Sequence, residues 1–214
     1  MSAKGEVRIA GSHRILPLIT DATFLLLAAY LLLGYARTLV NSPEPLFFMV
    51  RQGFFIFYLT LSLVLFAIRD KAAVYSSRIS DYVYTLLGLG SPLLFQPALS
   101  IALVPGELLE VAGSALVLCG FLSLRKSFGL GPENRGIKTT GAYKLMRHPM
   151  YSGYLLAEVG FFLDNFSLYN LLILAVSIIF LLLRMRAEER LLQKDRAYQK
   201  YAESVRWRLM LLVF

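Results

Sequence analysis

Apolar residues fall into six long runs along the chain, separated by short polar connections. A helix needs about 20 predominantly apolar residues to cross the hydrocarbon core of a bilayer, and most of these runs approach that length. The pattern therefore predicts an all-α integral membrane protein with a bundle of about five to six transmembrane helices. The runs cover residues 16–38, 47–68, 82–104, 107–124, 150–163 and 167–185.

Two of the runs are irregular. The third contains Gly88, Gly90 and Pro92, which predict a kink or an interruption near its middle. The fifth has about 14 residues, or roughly 21 Å of helix, which is shorter than the ~30 Å hydrocarbon core. A turn at Asp164 and Asn165 would join the last two runs into a C-terminal helical hairpin. A short fifth helix then leaves a recess at its N-terminal end, beneath the preceding loop.

Basic residues lie in alternate connections. All 22 of them except Arg37 and Arg51 precede the first run, follow the second, occupy the loop at 125–149 or follow the sixth run from Arg184 onward. Loops rich in Lys and Arg remain in the cytoplasm. We therefore predict a multi-pass protein with both termini, and the recess, on the cytoplasmic side.

The composition agrees with a membrane protein. Charged residues make up 17% of the chain, against about 25% in soluble domains. The only cysteine, Cys119, lies in an apolar run, so we expect it to be buried and to form no intrachain disulfide. With His13 and His148 far apart, we expect no metal site, and we expect no nucleic-acid partner. We divide the chain into four N-terminal helices (1–124) and a C-terminal part (125–214) within one compact domain.

A basic and aromatic cluster precedes the fifth run, between Gly141 and Gly153. Pro149 is suited to the first position of a helix, where its missing N–H costs nothing. The free N–H groups of that turn would then form an anion site near Arg147 and His148. Contact with anionic lipid headgroups, with His148 as a helix cap, explains the same residues equally well.

A second cluster follows the sixth run. Arg184 and Glu188 are four residues apart, so they share a helix face and can pair. Glu188 and Glu189 point about 100° apart, so we expect only one of them to face the recess, where it could bind ribose hydroxyls or an ammonium group. A solvated, salt-bridged helix is the alternative. Glu158, inside the fifth run, is either functional or a protonated residue at headgroup level.

Taken in order, the two clusters resemble a known family. The pattern Gly141-x-Tyr143-x-x-x-Arg147-His148-Pro149-x-Tyr151-x-Gly153, followed by Arg184-x-x-x-Glu188-Glu189, is similar to the signature of the isoprenylcysteine carboxyl methyltransferase-like family. Related phospholipid methyltransferases share the paired glutamates. Tyr198 and Tyr201 match the aromatic spacing of the family's tail. The resemblance covers residues 120–205, whereas the end of the chain and the first four runs depart from any recognisable pattern.

The resemblance implies an integral membrane methyltransferase that uses S-adenosylmethionine in a cytoplasmic recess. It implies that Arg184 and Glu188 face a lipophilic acceptor. This acceptor is a small molecule or a lipidated substrate, and it enters the site sideways from the surrounding membrane lipid. Arg184 would orient an acceptor carboxylate, or Glu188 would deprotonate an amine or a thiol. The implied cofactor-binding residues are His148, Pro149, Tyr151 and Glu189 at the methionine part and ribose, Arg147 beside them, and Phe128 and Tyr143 near the adenosine.

Two other functions remain open at this stage. One is a membrane reductase that binds a nicotinamide cofactor in a similar recess. The other is a non-enzymatic membrane component, such as a transporter subunit or a scaffold. The acceptor of a methyltransferase also stays open between a prenylcysteine carboxylate, a phospholipid amine, an isoprenoid, and a small lipophilic thiol or acid. The sequence does not indicate an oligomeric state.

Overall fold

A computed structural model describes residues 15–41, 46–98 and 104–209. The described chain is mainly helical, in agreement with the predicted all-α class. Two short strands, β1 (Val74–Tyr75) and β2 (Glu133–Asn134), pair in antiparallel register. The helices are α1 (Ile15–Asn41), α2 (Leu46–Ile68), α3 (Ile79–Gly90), α4 (Val104–Leu124), α5 (Pro149–Asp164), α6 (Leu168–Leu192) and α7 (Arg196–Ser204).

Three helical segments in the described ranges are long and apolar enough to cross a membrane: Ile15–Gly34, Pro105–Ser127 and Leu168–Leu192. The predicted count of five to six spans is therefore not confirmed, although α2 adds a shorter apolar stretch at Leu59–Ile68. Large apolar side chains are exposed along α1 and α6, as expected for surfaces that contact lipid. Examples are Leu18, Leu26, Leu33, Leu168, Leu172 and Ile179. Cys119 is also exposed, so the prediction of its burial was wrong.

The third apolar run is interrupted, as its glycines and proline predict. α3 ends at Gly90 after 12 residues, and a single 3₁₀ turn follows at Ser91–Leu94. Pro92 has no N–H for a continuing helical hydrogen bond, which explains the break at this position. Residues 99–103, the rest of that run up to the start of α4, lie outside the described residues.

Two asparagines satisfy the backbone that this interruption exposes. The side chain of Asn170 donates to the carbonyl of Gln96 (2.8 Å) and accepts from the amide of Gln96 (3.1 Å). Asn165 accepts from the amide of Ala98 at 3.1 Å. Asn165 also forms the predicted turn between α5 and α6. The hairpin turn therefore holds the non-helical segment after α3 in place.

Glycines bring α4 and α5 unusually close together. A Cβ added to Gly153 would lie 2.6 Å from the carbonyl oxygen of Gly113, and one added to Gly113 would lie 2.5 Å from that of Gly153. Likewise, a Cβ added to Gly160 would lie 2.5 Å from the carbonyl oxygen of Gly106. Small residues at such positions let helix backbones approach closely in membranes. We call these four residues the glycine contact.

Polar connections at one end of the bundle join into a single layer. β1 pairs with β2, and Arg190 of α6 forms an ion pair with the buried carboxylate of Asp81 at 3.1 Å. After α7 the chain is extended, and its carbonyls at Trp207 and Arg208 accept hydrogen bonds from the amides of Arg147 and His148. This layer, which we call the loop end, covers the N-terminus of α5.

Candidate active site

One cavity of about 550 Å³ runs from the loop end into the helical bundle. This volume is within the range of sites that bind small molecules. Its lining changes from polar to apolar along its length. At the loop end it is lined by Glu133, Arg135, Tyr143, His148, Glu188 and Tyr198, and within the bundle by Ala28, Leu59, Leu89, Val111, Phe121 and Phe161.

Three predicted site residues meet where the polar and apolar parts join. The Tyr151 hydroxyl donates to Oε2 of Glu188 at 2.7 Å. The buried guanidinium of Arg184 lies over the Tyr151 ring, with its central carbon 5.1 Å from the ring centroid. Arg184 Nη2 donates to the carbonyl of Leu130 at 2.8 Å, whereas its Nε has no hydrogen-bond partner among the described residues. The expected ion pair between Arg184 and Glu188 is not formed, because each side chain has another partner.

Glu189 is buried behind residues that line the cavity and is not itself part of the lining. Its Oε1 accepts hydrogen bonds from the Tyr198 hydroxyl (2.7 Å) and contacts Nε2 of His148 (3.1 Å). Its Oε2 lies 3.2 Å from Arg147 Nη1 and 3.5 Å from Arg208 Nε. As expected, only one of the adjacent glutamates lines the cavity, and it is Glu188. The carboxylate of Glu189 connects α6 to the α5 N-terminus, to α7 and to the extended segment after α7.

Arg147 also binds mainly to the end of α7 and to Glu189. Its Nε donates to the carbonyl of Val205 at 2.8 Å, and its Nη2 donates to that of Ala202 at 3.0 Å. These carbonyls lie at the C-terminal end of α7, where a cation is favourable. The guanidinium borders the cavity, but its donors point to backbone carbonyls and to Glu189.

Helix α5 begins at Pro149, as the sequence predicts. Pro149 occupies the first turn, and His148 precedes it as the N-cap residue, without a capping hydrogen bond from its side chain. The imidazole stacks on the Tyr151 ring, with centroids 5.3 Å apart and planes inclined by 23°. Both rings line the cavity. The structure thus places His148 between the cavity and Glu189.

Aromatic residues complete the loop end. The Tyr201 hydroxyl donates to the carbonyl of Tyr143 at 2.7 Å, so α7 fixes the position of that loop. Burial, together with the charge of Glu189, raises the pKa of Tyr198 well above its ordinary value, so its phenol stays protonated and donates to Glu189. Burial also raises the pKa of Tyr143. Phe128 packs edge-on against Phe121 in the core, at 5.1 Å, and borders the cavity.

The region that contains these residues is recognisable by comparison with known proteins. Residues 100–200 match the phospholipid methyltransferase family. The resemblance seen in the sequence is thereby confirmed at the level of the related family. The matched region includes α4, α5, α6 and every predicted site residue, and the match indicates a membrane methyltransferase. No curated protein matches the chain.

The site also contains a carboxylate that was not predicted from the sequence, although it lies within the matched region. Glu133 lines the cavity from β2, and its side chain is only 6% exposed. Burial raises the pKa of Glu133 above its ordinary value, although Arg135, 2.8 Å away, and Arg69 favour the ionised form. Glu133 is the only acidic residue in the otherwise basic loop at 125–149, and that isolation was a signal in the sequence.

Proposed function

We propose that this protein transfers a methyl group from S-adenosylmethionine to a lipophilic acceptor at the cytoplasmic face of the membrane. The observation that carries the proposal is a continuous cavity whose polar and apolar parts meet at Tyr151, Arg184 and Glu188. A polar cofactor and an apolar acceptor fit such a cavity from opposite ends. The family match supports methyl transfer, and the positions of the basic residues support the cytoplasmic orientation.

The residues at the loop end fit the chemical groups of this cofactor. Tyr143 and Phe128 offer aromatic surface for the adenine, and His148 and Tyr151 line the cavity beside Pro149. On the acceptor side of the junction, the buried Nε of Arg184 lacks a partner among the described residues and is suited to an acceptor carboxylate. Glu188 is suited to an ammonium or a hydroxyl group. When bound, the cofactor would supply a methyl group on a positively charged sulfur.

The protein's contribution to the reaction is positioning and exclusion of water. Methyl transfer requires an in-line approach of the acceptor atom, so the alignment of two ligands in one cavity supplies much of the rate. Arg184 orients an acceptor carboxylate, or Glu188 accepts the proton of an amine or a thiol through Oε1, the oxygen that does not bind Tyr151. The layer of loops at the end of the bundle shields this junction from water.

For Glu189 and Arg147, we propose a positioning role. The carboxylate of Glu189 holds His148 and Tyr198, both of which line the cavity, and Arg147 joins it to the end of α7. Direct binding of methionine or ribose by Glu189, as the family resemblance implies, would require one of these contacts to open. The two roles predict different responses to substitution, because loss of a positioning contact loosens the segment after α7, whereas loss of a ligand contact does not.

Titration calorimetry on the purified protein in lipid nanodiscs tests the proposal. We expect S-adenosylmethionine to bind and NADPH not to bind, and we expect labelled methyl groups to appear in a lipid extract from the protein's host membrane. Glu188→Gln should reduce transfer by at least about tenfold, because hydrogen bonds to charged groups contribute about 1.5–3 kcal/mol. Glu203→Gln, an exposed change on α7, is the matched control. Absence of cofactor binding, or unchanged transfer by Glu188→Gln, would contradict the proposal.

A further inference from the structure

A buried carboxyl group lies in the apolar part of the cavity. Glu158 of α5 is 8% exposed and lines the cavity within the bundle. Its Oε2 is fully buried and has no hydrogen-bond partner among the described residues. The buried hydroxyl of Ser177 on α6 makes a hydrogen-bonding contact with this carboxyl, but the contact falls outside ordinary hydrogen-bond geometry, so Ser177 Oγ also has no partner of normal geometry in the described structure. Buried polar groups in proteins are almost always well hydrogen-bonded, so this carboxyl retains the capacity for a further hydrogen bond.

Glu158 lies on the same face of α5 as the reaction site. Tyr151, Tyr154 and Glu158 are spaced three and four residues apart, so they form one row along the helix, and all three line the cavity. Glu158 follows Tyr151 by seven positions in the helix, a rise of roughly 10 Å along the axis. A ligand that reaches both residues must therefore be elongated.

The surroundings of Glu158 specify the chemistry of such a ligand. Phe95, Val111 and Phe161 line the cavity here, and they favour an apolar chain. Glu110 and Ser114 of α4 line the same part and add oxygen atoms to it. The described lining within the bundle contains carboxyl and hydroxyl oxygens but no lysine or arginine. These groups are suited to accept a hydrogen bond from a ligand.

From this geometry we propose that Glu158 binds a hydrogen-bond donor, a hydroxyl or an amine, located within the lipophilic part of the methyl acceptor, roughly 10 Å from its reacting end. The acceptor is then a long apolar molecule with a second polar group, and not a plain hydrocarbon chain. This inference rests on the proposed function, because it places the reacting end of the acceptor at Arg184 and Glu188. It assigns to Glu158 the choice of acceptor and no part in the transfer step.

Binding of model lipids by the protein in nanodiscs tests the inference without any methyl transfer. The probes are hexadecanoic acid and two isomeric hydroxy derivatives of it, one with a mid-chain hydroxyl and one with a hydroxyl beside the carboxyl group. We expect the mid-chain hydroxy acid to bind roughly two- to tenfold more tightly than the other two, as one ordinary hydrogen bond provides. In Glu158→Leu this preference should disappear, with the affinity for hexadecanoic acid unchanged. Glu158→Gln, which keeps an acceptor oxygen, should retain part of it.

Two results would overturn the inference: equal affinity of the wild type for all three acids, including no binding of any, or a preference that survives Glu158→Leu. If Glu158→Leu does not fold, Glu158→Gln decides the outcome. A preference smaller than that of the wild type then supports the inference, and an unchanged preference overturns it. S-adenosylmethionine titration of the same samples separates this result from a failure of the proposed function. A wild type that discriminates between the acids but binds no S-adenosylmethionine would refute the proposed function and leave the lipid-binding role of Glu158 intact.

Discussion

The glycine contact between α4 and α5 allows a quantitative prediction. In Gly153→Ala, the new Cβ would lie 2.6 Å from the Gly113 carbonyl oxygen and 2.8 Å from the Val117 amide nitrogen. Both are backbone atoms, which cannot rotate away. Ordinary contact begins at 3.4 Å, so the two helices must separate locally by about 0.8 Å. Overpacking of this kind costs about 1–3 kcal/mol. We expect Gly153→Ala to lower the free energy of unfolding by that amount.

Unfolding by sodium dodecyl sulfate in mixed micelles, followed by circular dichroism, measures this effect. Gly88→Ala is the matched control, because its Cβ would meet its nearest atom, in the Phe180 backbone, at 3.7 Å, which is ordinary contact. That change should be neutral, or stabilising by up to about 1 kcal/mol through helix propensity. Gly153 lies between Tyr151 and Tyr154, so the same separation should also weaken ligand binding. Equal stability of Gly153→Ala and Gly88→Ala would show that α4 and α5 do not approach each other as closely at Gly153 as described above.

Three further substitutions address the site and its supports. Glu189→Gln should lower the free energy of unfolding by about 1–3 kcal/mol and expose the segment after α7 to protease, because the ion pair with Arg147 is lost. If Glu189 served only to bind a ligand, its substitution would leave proteolysis unchanged. Glu188→Gln is the control, and it should leave proteolysis unchanged. Arg184→Lys should reduce kcat/KM at least about tenfold, since an ammonium cannot reproduce bidentate binding, and it should also destabilise by about 1 kcal/mol, because the buried Leu130 carbonyl loses its donor. Unchanged kinetics would remove Arg184 from the acceptor site. Asn170→Ala should destabilise by about 1–3 kcal/mol, because it leaves the backbone of Gln96 unpaired, whereas wild-type stability in the unfolding assay would argue against the Asn170 bridge.

Sequence patterns predicted the features that depend on neighbouring residues. The interruption at Gly90 and Pro92, the start of α5 at Pro149 and the turn at Asn165 follow from local backbone chemistry, and all three are present. The short fifth helix was also expected, and α5 has 16 residues. In each case a single residue type limits the local conformation, so a single sequence is sufficient to identify it.

Features that depend on distant residues were not predictable in the same way. The donors of Arg147 bind carbonyls near Val205, and backbone carbonyls leave no signature in a sequence. The pairing of β1 with β2 involves two-residue strands that are too short to show a period. Adjacent Glu188 and Glu189 were correctly expected to point in different directions, but the sequence could not show which partners each would have.

The contacts of Glu189 and Arg147 also determine the order in which parts of this protein can form. His148 and Glu189 are 41 positions apart in the chain, and Arg147 and Val205 are 58 apart. Such contacts require closure of a long loop, whereas each helix forms from hydrogen bonds between near neighbours. We therefore expect the loop end to be completed only after α5 and α6 have come together, and to open without the loss of any helix in the bundle. The polar part of the cavity would then be, in energetic terms, a separate unit from the bundle that supports it.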